Sequence, residues 1–241
     1  VENPTSFEFS TRPELIVFER HGMSSRNIGK GSNIYFPDSE TRDKYAGVPD
    51  YLVPLTEEGH LQSEVMGWAL YERFGHFDYV YDSGYLRAIQ TREGNLKAYP
   101  AHVLADMKLR ENLFLRERDA GYTYDMTQQE ADAAFPWLKE YWKTHGGFIA
   151  RPPGGQSLAD KVTEVYLFLN MLFRDRAGQK VLVITHGGTL RCIRFLLERW
   201  TYEQALRWPP GESPKNCGLT VYQFDKSQDR LALQEYNTVC Y

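Results

Sequence analysis

Apolar residues gather along the chain in short runs separated by longer amphipathic stretches. The runs at residues 14–19, 79–82, 180–185, 219–224 and 231–236 predict strands, with a weaker one at 102–105. Between them apolar positions recur at helical spacing. Leu158, Val162, Val165, Leu169 and Leu172 mark one face of a helix that Ser157 would cap, with Asp160 three residues on and Gly178 to stop it. A second helix is predicted from Thr56, where Glu57 and Glu58 suit the positive end of the helix dipole, to Phe74 before Gly75; Gly59 and Gly67 weaken it. Residues 87–98 and 189–199 continue the series, and 127–144 is a broader helical stretch interrupted by Pro136. Strands alternating with helices predict a layered α/β domain around a largely parallel sheet.

Gly, Pro and polar residues concentrate in 28–54, 146–156 and 208–217, which read as loops. The first is long for a connection in a compact domain, which marks either a lid or an ill-ordered segment. With 241 residues, 42% of them hydrophobic, the chain is long enough for one sizeable core, and no repeat or linker divides it. The reading is one catalytic domain over 1–241, with an inserted loop 28–54 and a cap-like segment 112–156. The net charge of −4 supplies no bulk attraction to nucleic acid or an anionic membrane, so an anionic substrate has to be held by a local cluster of arginines. Cys192, Cys217 and Cys240 form neither a metal-ligand spacing nor an even disulfide set. No apolar stretch approaches the roughly 18 residues that span a bilayer, and the polar start lacks the blocks of a secretory signal. A cytoplasmic protein with neither nucleic-acid nor membrane partner is expected.

The candidate chemistry sits where strands should stop. Arg20, His21 and Gly22 follow the first run, His186 and Gly187 end the fourth, and Ser83 to Thr91, with Arg87, follow the second. In an open α/β sheet, ligands bind outside the carboxyl ends of the strands, so the two histidines can face one crevice. Two imidazoles with guanidiniums and a polar amide suit a phosphoryl group. Arginine offers a rigid donor fork that keeps its charge, and a neutral imidazole can attack phosphorus while the arginines stabilise the equatorial oxygens. Zinc fits poorly, because arginines would repel it and no carboxylate stands at ligand spacing beside either histidine. Gly29, Lys30, Gly31 and Ser32 lack the phosphate-loop spacing and a preceding strand, and read as a flexible loop. His60, His76, His102 and His145 fall on surface patterns and read as scaffold.

These residues carry a resemblance. Arg20, His21, Gly22 and Asn27, then Pro54, Leu55, Thr56, Glu57, Glu58, Gly59 and Gln62, the Ser83 to Thr91 block, Gly154 to Leu158, and His186 with Gly187 occur in the order of the histidine phosphatase superfamily, which includes the cofactor-dependent phosphoglycerate mutases. The chain resembles that family over about residues 15–220. The resemblance implies a three-layer α/β/α sandwich with a mostly parallel central sheet and a phosphohistidine mechanism. His21 would be the nucleophile between Arg20 and Arg87, and His186 would donate to the transferring oxygens. Arg20, Asn27, Arg87 and Gly187 would bind phosphate, and Glu111 would protonate the leaving oxygen. Arg26, Arg116 and Arg118 are further candidates; turned inward, they would favour a substrate with a second anionic group. Met23, where relatives most often carry an acid or Gln, and the long 27–54 stretch depart from the family pattern, so its substrate specificity does not transfer.

The expected activity is hydrolysis of a small phosphorylated metabolite. The alternatives are phosphoglycerate mutase-type transfer and a catalytically silent module that binds phosphorylated ligands. The segment 116–151 is only loosely like the mutase insert, whereas Val48, Pro49, Asp50 before Leu55, and Arg116, Glu117, Arg118, Asp119 before Gly121, look more like a phosphatase branch. No metal or organic cofactor is required by this chemistry.

Overall fold

A computed structural model of the chain describes residues 12–31, 33–207 and 212–241. Six strands form one sheet: β1 Leu15–Arg20, β2 Tyr79–Asp82, β3 Lys108–Glu111, β4 Lys180–Thr185, β5 Leu219–Asp225 and β6 Arg230–Thr238, in the order β3-β2-β4-β1-β5-β6. β3, β2, β4 and β1 run parallel. β5 and β6 close the other edge as an antiparallel hairpin beside β1. Ten helices accompany the sheet among the described residues: α1 Ser25–Lys30, α2 Ser39–Tyr45, α3 Glu57–Phe74, α4 Leu86–Leu96, α5 Ala101–Leu104, α6 Gln128–Ala134, α7 Leu138–His145, α8 Leu158–Asp175, α9 Gly187–Leu197 and α10 Tyr202–Leu206.

The alternation of side chains along buried strands divides the core into two layers. Ile16, Phe18, Val181, Val183 and Tyr222 pack on one face against Val165, Phe168, Leu169 and Leu172 of α8 and Leu190 and Ile193 of α9. Val17, Val80, Leu182, Ile184 and Val221 pack on the other against Met66 and Leu70 of α3 and Ala88 of α4. The result is the three-layer α/β/α arrangement. Ser157 caps α8 in a full capping box with Asp160, and Thr56 caps α3 through the backbone N–H of Gly59.

Several expectations are corrected. Residues 102–105 are not a strand: after Pro100 the chain turns into α5, and the strand comes later as β3. All four β3 residues are exposed, so the edge strand carries no apolar signature. Gly59 and Gly67 lower the intrinsic helix propensity of α3 yet stand inside it, because they let it approach its neighbours. A Cβ at Gly59 would stand 2.1 Å from the Met23 carbonyl oxygen, and one at Gly67 would stand 2.3 Å from that of Asn95 in α4. The long 28–54 stretch is neither open nor ill-ordered across its described residues; it folds into the end of α1, α2 and a 3-10 turn at Asp50–Leu52. Gly29 and Lys30 belong to the last turn of α1, with the Lys30 ammonium fixed on the carbonyls of Ile34, at 2.9 Å, and Tyr124. Ser32 and residues 208–211 lie outside the described residues.

Candidate active site

The four parallel strands end on the same edge of the sheet, and each delivers part of the site. β1 leads to His21, β4 to His186, β2 to Ser83 and Arg87, and β3 ends in Glu111. The two imidazoles are buried, with ring centroids 5.1 Å apart and planes at 58°. His21 Nδ1 stands 2.8 Å from the Gly22 carbonyl oxygen. A carbonyl only accepts, so Nδ1 carries the proton and Nε2 keeps its lone pair for attack. Ser83 Oγ lies 2.8 Å from His186 Nε2, while His186 Nδ1 is buried with no protein partner among the described residues. With the Ser83 hydroxyl donating to Nε2, Nδ1 holds the proton and is a donor left for a ligand; this tautomer is assigned from the hydrogen-bond network.

Burial and the nearby guanidiniums hold both histidines well below the ordinary imidazole range. Desolvation is the larger cause for each, followed by the charge of Arg87, so both rings are neutral at pH 7. A neutral ring is the form a nucleophile needs.

The turn after β1 is fastened from several sides. Gly22 N–H donates to Thr91 Oγ1 at 2.9 Å, Met23 N–H to Gln62 Oε1 at 2.9 Å, and Thr56 Oγ1 to the Met23 carbonyl at 3.1 Å. Asn27 is oriented in the same way. Its Oδ1 accepts from the Ser24 N–H at 3.1 Å, the Ser24 hydroxyl at 2.9 Å and Asn216 Nδ2 at 3.1 Å, which leaves its amide N–H groups as the end available to an anion. Asn216 also donates to the His21 carbonyl at 3.0 Å.

Arg20 is anchored through a guanidinium nitrogen on the Pro214 carbonyl and lies beside Gly187, where a Cβ would stand 3.8 Å from its Nε. Arg87, buried on α4, gives Nη1 to the Asp50 carbonyl at 2.6 Å and to the Asp50 carboxylate at 2.9 Å. Tyr85 meets His186 edge-on, with ring centroids 5.1 Å apart, and the Arg87 guanidinium lies 4.9 Å from its ring centroid.

Glu111 sits at the rim, its side chain 57% exposed, 3.6 Å from the Arg116 guanidinium. Its carboxyl lies over the turn at Gly84, where φ is +75° and a Cβ would stand 2.0 Å from Oε1, so only glycine leaves room for it. Arg116 and Arg118 take different directions. Arg116 lies 5.9 Å from the centroid of Tyr85, whereas Arg118 Nη1 donates to the Gln156 carbonyl at 2.9 Å, a tie between backbone segments. Arg26 is buried against Phe36 and Tyr124 and paired with Asp125, which joins α1 to the 121–125 turn. No cluster of metal-ligating side chains occurs among the described residues.

Sequence reasoning assigned no role to Ser83, Tyr85, Asp50 or Asn216. Ser83 and Tyr85 stand in the quoted block after β2, which is a usable signal. Asp50 stands in the Val48, Pro49, Asp50 block, but its contact with Arg87, like that of Asn216 with Asn27, joins residues far apart in the chain and has no local signal.

Comparison with known proteins gives the family and the fold. Residues 16–237 match the family model of the histidine phosphatase superfamily, branch 1. A 2,3-bisphosphoglycerate-dependent phosphoglycerate mutase of Rhizobium etli is 29% identical over 93% of this chain and 99% of its own length. The protein of that name from Methylobacterium radiotolerans is 33% identical over 79% of this chain and 82% of its own. Among solved structures, a putative alpha-ribazole-5'-P phosphatase from Escherichia coli matches with a TM-score of 0.71 at 18% identity, covering 94% of this chain and 97% of that one. A mycobacterial glucosyl-3-phosphoglycerate phosphatase in complex with VO3 matches with a TM-score of 0.66 at 20% identity, covering 93% and 99%.

Proposed function

Because the chain belongs to the histidine phosphatase superfamily, we propose that it hydrolyses small phosphomonoesters through a phosphohistidine on His21. The observation that carries the reading is the state of His21: a neutral, buried imidazole with Nδ1 committed to the Gly22 carbonyl, flanked by His186 and two arginines. Nε2 attacks phosphorus, and the bond from phosphorus to the ester oxygen breaks. Glu111 gives its proton to the departing alkoxide, a role worth roughly 10²–10⁴ in rate where the leaving group is poor. Water then attacks phosphorus and yields a proton to the Glu111 carboxylate as the phosphorus–nitrogen bond breaks, which releases phosphate with the Nε2 lone pair restored. Arg20, Arg87, Asn27, the Gly187 backbone N–H and His186 Nδ1–H carry the negative charge of the equatorial oxygens throughout.

Hydrolysis needs water at the phosphohistidine, and the exposed Glu111 side chain, on a crevice edge open to solvent, supports it. A second reading, transfer between phosphoglycerates, draws support from the names of the curated relatives. Solved structures near 20% identity speak for the fold alone. Phosphate release and phosphoglycerate interconversion, measured side by side with bisphosphoglycerate present and His21→Ala as blank, separate the two. Release across several esters is expected, undiminished in EDTA; interconversion with little release would reverse the order.

A further inference from the structure

Two of the cations around the crevice are paired with fixed carboxylates of the chain itself: Arg87 has the Asp50 carboxylate at 2.9 Å and Arg26 has Asp125, while Arg116 at the rim has only Glu111, 3.6 Å away, which carries the proton for the leaving group. Lys30 and Arg118 are taken by backbone carbonyls. Arg20, half-buried beside Gly187, is different: no carboxylate lies within ion-pair distance of it among the described residues, and Glu117 acts on it only through a longer-range field. A phosphoryl dianion completes this set at Arg20 and the shared Arg87. A second anion on the same substrate would meet the Asp50 carboxylate beside Arg87, with the Lys30 and Arg118 donors turned to backbone carbonyls.

Asp50 contributes more than neutralisation. Its Oδ1 accepts from the Tyr124 hydroxyl at 2.7 Å while facing Arg87, so the carboxylate is pinned at the phosphate-holding arginine. Its field reaches Tyr85 across the mouth of the crevice, where it adds to the burial that pushes that phenol up to about 12.

We infer that the alcohol released by this enzyme is uncharged, and that Asp50 is the specificity-determining residue that sets this by disfavouring a second negative group beside Arg87. The inference rests on the phosphomonoesterase reading and narrows its substrate class to monophosphates of sugars, polyols and other neutral alcohols. An acid such as a phosphoglycerate brings a second carboxylate towards the fixed carboxylate of Asp50.

A matched pair of esters tests it. Glycerol 3-phosphate and 3-phosphoglycerate differ only in a hydroxymethyl against a carboxylate. The wild-type protein is expected to turn over the former with a kcat/KM at least about tenfold higher, and Asp50→Asn to narrow that ratio severalfold, because discrimination here is a difference of two transition-state affinities. A merely structural role of Asp50 in holding Arg87 would slow both esters alike and leave the ratio where it was, which would overturn the assignment to Asp50. Equal or better hydrolysis of 3-phosphoglycerate by the wild type would overturn the inference while leaving the phosphatase reading intact. The wild-type ratio decides the substrate class even if Asp50→Asn does not fold. Failure to form phosphohistidine from any phosphomonoester would remove the underlying reading and this inference with it.

Discussion

At the scale of single residues, the site is a set of polar groups whose hydrogen bonds are fixed before any ligand arrives. His21 and His186 are neutral because burial and Arg87 disfavour their charged forms. The acid limb of kcat/KM, corrected for the ionisation of the substrate, is therefore expected well below pH 6.5, and an inflection at or above that value would contradict the assignment of His21. Glu19 behaves in the opposite sense. It is fully buried next to Arg20, bonded to Asn95, and burial pushes its carboxyl up to about 8 in spite of its hydrogen bonds to Asn95 and Cys217. A folded value above the unfolded one means that its contribution to stability is intact below about 4.5 and is lost as pH rises through about 8. The loss is on the order of 5 kcal/mol when complete. Glu19→Gln keeps the shape and cannot titrate, so its urea unfolding should gain on the wild type as pH is raised from 5 to 9; parallel curves would show that Glu19 is already ionised in the fold at pH 5, with no raised value. The two histidines, with folded values below the unfolded one, instead withdraw stability as pH falls below 6.5.

At the scale of elements, close approach decides geometry. α3 touches the turn that carries His21 at Gly59 and touches α4, which carries Arg87, at Gly67. Gly67→Ala raises helix propensity, by about 1 kcal/mol, yet places a methyl 2.3 Å from a backbone carbonyl oxygen. The clash should win, with a net destabilisation of about 1–3 kcal/mol read as a lower midpoint in urea. A stabilised variant would show that α3 can retreat from α4 without cost. The elements also explain what was legible in the sequence. α8 announces itself through Ser157, Asp160 and an apolar stripe, because capping and periodicity are local. β3 does not, because Lys108, Leu109, Arg110 and Glu111 face solvent at a sheet edge and are defined only by pairing with β2. His21, His186 and Arg87 were readable from their positions after apolar runs, whereas Asn216 and Asp50 acquire meaning only when the chain brings them to Asn27 and Arg87.

At the scale of the whole molecule, four parallel strands converge on one edge, and the 3-10 turn at Asp50–Leu52 meets that edge at Arg87. Lys30 and Arg26 tie α1 to the 121–125 turn, and the Tyr124 hydroxyl donates to Asp50, so α1, that turn and Arg87 are joined through one set of contacts. In the proposed reading, this arrangement serves one covalent step at His21. The direct test is rapid acid-free quenching of the protein during turnover of an isotopically labelled phosphomonoester, followed by mapping of the label. The account predicts an acid-labile adduct on His21, formed and discharged at rates that accommodate turnover, and absent from His21→Ala together with activity. Turnover without such an adduct, or an adduct that persists in His21→Ala, would contradict it.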